Sequence, residues 1–412
     1  MRFHIVVVSY ASWLLSILLV FYLSHGKGTT GMQIAFLCGL VPSALQLFLI
    51  GIDWRGLVAP VKMWLSLLLI ILLGYVLSNF SAETATRSLE AQDVPPAWIP
   101  LVYTFDVAFM VGISTLVAGC PDRRLLRSIA GCFCILCAPF LVYVDITGER
   151  TWGDRLVANH LEPVWWGLMG LTVCLAAFAG KPGFLAIAGF VAGAATIFAS
   201  NAREDILAVS VCLLIVMISY LRTMKRSQHT VMLAGICLTL VSAMLFLPQV
   251  IHTFGFIGHD VLSLDNPARG IGSGFTGRTG IWQSAAEVWF KHPFFGVGFR
   301  QNEQYLGGYS THNAYLAMLV DTGLVGFVWF LILLGSSLFA ALGIQDQRTR
   351  LFVMTFVVAN VAIGFFDRRV INPGTPYGLF FVMCCSVALT DRSLRKFRAA
   401  TDVFTPAEKQ LT

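Results

Sequence analysis

The feature that most constrains this chain is the recurrence of apolar stretches of roughly 20 residues, the length a helix needs to cross the hydrocarbon core of a bilayer. They lie near 4–23, 32–51, 61–80, 99–119, 129–147, 164–180, 183–200, 206–221, 231–251, 314–343, 351–366 and 377–390. With 57% hydrophobic residues, 12% charged residues and a mean hydropathy of +0.76, too few polar side chains exist to give each helix a wetted face. The segments rich in Leu, Ile, Val and Phe lack the period-2 alternation of a membrane barrel. The expected fold is an all-α polytopic membrane protein of about twelve transmembrane helices, with residues 1–412 as a single transmembrane domain.

Lys and Arg in the short connections set the orientation. Arg55, Lys62, Arg123, Arg124, Arg127, Lys181, Arg222, Lys225, Arg226, Arg348 and Arg350 fall on one side, together with Arg392, Arg395, Lys396 and Arg398. Both termini are therefore expected inside, with 391–412 as a cytoplasmic tail and the first apolar segment a retained helix rather than a cleaved signal. The ten cysteines fall within spans or at their inner ends, so no disulfide framework is expected. Cys132, Cys134 and Cys137 have a superficial metal spacing, but in an apolar helix they read as packing residues.

The same alternation turns 24–31, 81–98, 148–163, 201–205, 252–313 and 367–376 outward. The segment 252–313, about 60 residues, is far longer than a helix-joining loop, and loops of that length are usually functional or disordered. Within it, Trp282, Ala285, Ala286 and Trp289 recur at helical spacing up to His292, the pattern of a short interfacial helix in the headgroup plane.

Arginines stand on this outward side against the usual bias: Arg203 in the link SNARED, Arg278 in the long loop, Arg368 and Arg369 in DRRVINPG, and Arg150 and Arg155 with His160 in the 148–163 loop. Two readings stand: a cationic pocket, since the guanidinium fork suits phosphate oxygens, or solvated loop charges and headgroup anchors. His312 precedes the helix AYLAMLVDTGLVGFVWFLILL. A helix N-terminus disfavours positive charge, so a neutral imidazole there keeps a lone pair and can serve as a base; the alternative is a capping or interfacial histidine. Asn313 reads as a cap or an orienting partner. Gly323 and Gly326 share a face and are expected to let a neighbouring helix approach closely. Asp106 and Asp321 are candidate intramembrane carboxylates, with three readings open: mechanistic, neutralised by a nearby arginine, or placed near an interface. The remaining histidines do not cluster, and nothing in the sequence requires a metal or another cofactor.

The order GRTGIW at 277–282, HPFFGVGF at 292–299 and HNAYLAMLVDTGLVG at 312–326 resembles the O-antigen ligase and Wzy-type polysaccharide polymerase superfamily of bacterial inner-membrane proteins. The resemblance covers 277–326 well, Arg203 by position, and the remainder only as a pattern of spans. It implies a GT-C-like membrane glycosyltransferase that moves a glycan from an undecaprenyl-diphosphate-linked donor to an acceptor hydroxyl at the periplasmic face, without metal and with inversion. It also implies Arg203 and Arg278 as diphosphate ligands and His312 as general base; Asn313, Arg368, Arg369 and His160 stand as supporting candidates by their outward positions alone. The acceptor would be a second lipid-linked glycan or a lipid A core, and the partners would be the bilayer, chain-length regulator and flippase proteins, with no nucleic acid. About 34 positions separate Arg278 from His312, a compact spacing that leans toward the polymerases. Two further classes stay open: a transporter, against which the absence of an internal repeat counts, and a non-catalytic envelope-assembly scaffold.

Overall fold

The computed structural model describes residues 59–81, 126–136, 150–151, 155–156, 170–173, 184–200, 203–223, 278–299, 301–307, 309–368 and 376–403, with isolated positions between 7 and 255. The helices are α1 (Ala59–Ser81), α2 (Leu126–Leu136), α3 (Phe184–Ser200), α4 (Arg203–Thr223), α5 (Arg278–Lys291), α6 (Asn302–Tyr305), α7 (Ala314–Leu342), α8 (Gln347–Gly364) and α9 (Pro376–Val403). Arg150–Thr151 and Arg155–Leu156 form a two-residue antiparallel ladder, β1–β2, a small departure from the expected all-α fold. Asp106 and His160 lie outside the described residues.

The expected spans at 61–80, 183–200, 206–221, 314–343 and 351–366 coincide with helices to within a few residues, and the one at 377–390 falls inside α9, which continues to Val403. Asp205–Arg222 and Ala314–Leu342 are long and apolar enough to cross a membrane, and Lys62–Ser78, Leu126–Leu136 and Gly378–Asp391 are shorter apolar helices. The helices start where the sequence supplies a start: Pro60 and Pro376, which lack an N–H, fit a first turn whose N–H groups have no intrahelical acceptor, and Asp346 and Asn313 cap α8 and α7.

Two helices form the centre. From Leu379 to Leu389, α9 is buried on every side, and α8 buries Phe352, Val353, Phe356, Val357 and Ile363. Phe380 meets Phe352 and Phe356 edge-on, with ring centroids 5.6 and 5.3 Å apart. Around this centre α8 packs on α4, α7 on both α8 and α9, and α1 on α9 and α7. A second, smaller core of Ala285, Val288, Val297, Leu306 and Val320 joins α5 and α6 to the first half of α7. By contrast α4 presents Leu213, Leu214, Met217 and Ile218 outward, as a helix facing lipid does.

At the opposite end of α8, the Asp346 carboxylate accepts from the Thr349 backbone N–H at 3.1 Å and from Arg127 of α2 at 3.1 Å. Burial alone would raise its pKa; the Thr349 hydroxyl and N–H, the Arg127 charge and the Arg348 N–H outweigh burial and hold it below the usual carboxylate value. A folded-state pKa below the unfolded one contributes stability that is present above about pH 4 and is lost as the pH falls through the folded value. Asp346→Ala is therefore expected to cost about 1–2 kcal/mol at neutral pH, and the deficit should shrink at pH 3. Thermal unfolding of detergent-solubilised protein at both pH values checks this, and Asp346→Asn, which keeps the cap, should lose less.

Candidate functional site

The site grows from a break in α7. Gly323 adopts φ 65 and ψ −168 within an otherwise regular helix, which frees the carbonyls of Val320 and Asp321 and the N–H groups of Leu324 and Val325. The loop HPFFGVGF crosses at that point and pairs them. Val297 N–H donates to Val320 O at 2.9 Å and Gly298 N–H to Asp321 O at 2.8 Å, while Leu324 and Val325 donate to Pro293 O at 2.8 Å and Phe294 O at 3.2 Å. These four freed groups are thus paired again, as a buried backbone requires. Only glycine fits the crossing. A Cβ on Gly323 would stand 2.2 Å from Phe294 O, and one on Gly296, at φ +69, would stand 2.5 Å from Asp321 O.

The pairing of Gly323 with Gly326 was expected to admit a neighbouring helix; what approaches Gly323 is the backbone of this loop. Gly326 serves the same break differently, because a Cβ there would meet the Thr322 side chain at 2.2 Å. The physical reason is that a residue at positive φ turns the helix axis, and the freed groups draw in a partner that carries its own unpaired backbone.

Asp321 sits beside the break and is buried. Its carboxylate accepts from Asn302 N–H at 3.0 Å and from the Asn302 side-chain amide at 2.8 Å, which fixes α6 against α7. These donors are a backbone N–H and a side-chain amide, where the sequence had suggested an arginine. Next to Asn302, Glu303 forms an ion pair with Arg368, just beyond the end of α8.

Arg278 is the first residue of α5, and its Nη1 donates to Phe366 O at 2.8 Å. That carbonyl lies just past the end of α8, where the helix dipole presents partial negative charge. Among the described contacts this bond occupies one of the five guanidinium donors. One turn along the same face of α5, about 6 Å by helical rise, Trp282 Nε1 donates to Thr311 O at 2.7 Å. Thr311 is buried and is the residue before His312.

His312 is half-buried and has φ 46, a left-handed conformation rare outside glycine; its N–H donates to Ser310 Oγ at 3.3 Å. Such strain in a non-glycine residue clusters at functional sites. Asn313 is the N-cap of α7, its side-chain oxygen accepting from Leu316 N–H at 2.9 Å. In the first turn of α7, Tyr315 donates from its hydroxyl to Val361 O at 2.8 Å and packs its ring on Phe365 at 4.6 Å. The His312 turn and Arg278 are therefore fastened to the same end of α8, residues 361–366, and Glu303–Arg368 closes the group.

The remaining expected residues divide as follows. Arg203 is the first residue of α4, with its side chain outside the described residues, as are Arg369 and His160 altogether. Arg150 and Arg155 stand on β1 and β2. Residues that sequence reasoning passed over are Asn302, Glu303, Tyr315 and the buried Asp205. The polar run RQNEQY between two glycine-rich pieces was the available signal for the first two.

Because Gly296 and Gly323 occupy one crossing, Gly296→Ala and Gly323→Ala should each cost about 2–4 kcal/mol, and the double variant little more than either single one. Gly335→Ala, where nothing lies within 4 Å, should be neutral or slightly stabilising. Thermal unfolding of the four variants in one detergent decides; additive losses at 296 and 323 would show two independent sites.

None of the curated proteins compared with the chain matches it. The family model described as O-Antigen ligase matches residues 188–331, a stretch that runs from α3 into α7 and contains Arg203, Arg278, His312 and Gly323. Over those residues the chain is similar to the O-antigen ligase family.

Proposed function

We propose that the chain transfers a glycan from an undecaprenyl-diphosphate-linked donor to an acceptor hydroxyl at the periplasmic face of the inner membrane. The observation that carries this reading is the common anchorage of Arg278 and the His312 turn on residues 361–366. In the proposed step the His312 imidazole accepts the proton of the acceptor hydroxyl as its oxygen bonds to the anomeric carbon. The bond from that carbon to the diphosphate oxygen breaks from the opposite side, with inversion. The diphosphate leaves with the bonding electrons, and the guanidinium groups of Arg278 and Arg203 meet the charge that develops. Charge balance is assigned to arginine because the planar fork spans two phosphate oxygens, which an ammonium does not.

A polymerase, which adds one lipid-linked repeat to another, fits the compact spacing between Arg278 and His312. The ligase reaction, with a lipid A core as acceptor, is favoured by the description of the matched family model. Incubating the purified protein with a defined polyprenyl-diphosphate oligosaccharide, with and without lipid A core, separates them: chain growth marks the polymerase, and modified lipid A the ligase.

Arg278→Ala and Arg203→Ala are expected to lose about 30- to 1,000-fold in transfer, equivalent to roughly 2–4 kcal/mol of transition-state stabilisation, with Lys restoring only part. His312→Ala should insert and bind donor normally while losing about 100-fold or more of turnover. Donor binding measured beside product formation in matched membranes tests this, and retained turnover in His312→Ala would overturn the assignment in favour of transport or scaffolding.

A further inference from the structure

Three phenylalanines beside the site are turned out of the protein: Phe290 at the end of α5 and Phe294 and Phe295 in the crossing loop are 71, 62 and 75% exposed. Their level in the fold is set by the backbone bonds at the break. Leu324 and Val325 donate to Pro293 and Phe294, so the two loop phenylalanines lie beside those residues. Leu324 and Val325 begin an exposed apolar stripe that continues through Val328, Trp329, Leu331 and Ile332 to Phe339 and Leu342. From the break to its end, 324–342, α7 is about 28 Å long, one hydrocarbon thickness. The phenylalanines therefore stand at the end of a surface whose length and chemistry match the interior of a bilayer.

The loop is also built to sit there. Irregular backbone is tolerated at apolar depth only when its polar groups are paired within the protein. Here Pro293 O and Phe294 O accept from α7, Val297 and Gly298 donate to α7, and Gly296 donates to His292 O at 3.1 Å. Lys291 and His292, both exposed, lie between Phe290 and the loop, where the long lysine stem can carry its ammonium toward the headgroups.

We propose that Phe290, Phe294 and Phe295 are covered by lipid acyl chains and continue the lipid-facing stripe of α7, making the 293–298 loop a wedge at the hydrocarbon edge that sets the depth of α5. The proposal rests on α7 spanning the membrane and uses nothing of the glycan-transfer mechanism. The site would then be held where a lipid-anchored diphosphate emerges from the acyl region.

The test is photocrosslinking of the full chain in vesicles of labelled phosphatidylethanolamine and phosphatidylglycerol, with p-benzoylphenylalanine placed singly at Phe294, Phe295, Val328 or Glu287. Glu287 is exposed on α5. Lipid adducts at 294 and 295 should match those at 328 and exceed those at 287 severalfold. Adducts at 328 with none above the 287 level at 294 and 295 would overturn the wedge while leaving α7 in the membrane. Crosslinks at 294 and 295 that join two copies of the chain would overturn it as well. No outcome depends on turnover, so failure of the transfer mechanism is scored separately.

Discussion

The backbone exchange at Gly323 is the constraint on which the rest of the site depends. A helix broken in an apolar environment leaves donors and acceptors that cost several kcal/mol each if unpaired, so the break exists only with a partner segment in place. That partner is the loop HPFFGVGF, and its pairing fixes where α5 ends and where α6 begins. Asp321 adds a side-chain tie to the same point through both donors of Asn302. Loss of the crossing would release α5, α6 and the approach to His312 together, because all three are joined through one small core.

The second organising element is the end of α8. Its core-facing residues lock against α9 and α4, which makes it a rigid reference within the bundle. Its last turn offers carbonyls that cannot find partners inside the helix, and they are taken up from outside: Tyr315 binds Val361 O and Arg278 binds Phe366 O. Completing a helix terminus and positioning a cation are here one act. The guanidinium is oriented by a dipole end that favours it, while most of its donors stay uncommitted among the described contacts.

Charge in this region is distributed unevenly. Arg368 is matched by Glu303, so the pair adds little net field, whereas Arg278 donates to a neutral carbonyl, which leaves its charge uncompensated by that contact. The outward arginines are thus not equivalent, although they are alike in sequence. The strained His312 backbone belongs to the same economy: a left-handed residue between buried Thr311 and the Asn313 cap turns the chain sharply into α7 and keeps the histidine at the helix mouth.

Composition and hydrophobic periodicity determined the helical class, the expectation of a lipid environment and the positions of several helices, because long apolar runs without period-2 alternation can satisfy their backbone in an apolar medium as helices but not as a barrel. Local signals determined the helix beginning near Trp282, the cap at Asn313 and the candidacy of Arg278 and His312, since each is encoded within one turn of chain. Tertiary structure alone decided that Gly323 breaks α7 instead of admitting a helix, that Asp321 answers to Asn302, that Arg368 is matched by Glu303, and that Arg278 and the His312 turn share the end of α8. Those pairings join residues from 19 to 88 positions apart. No local propensity encodes them: they arise when separate segments each carry backbone or charge that only the other can satisfy.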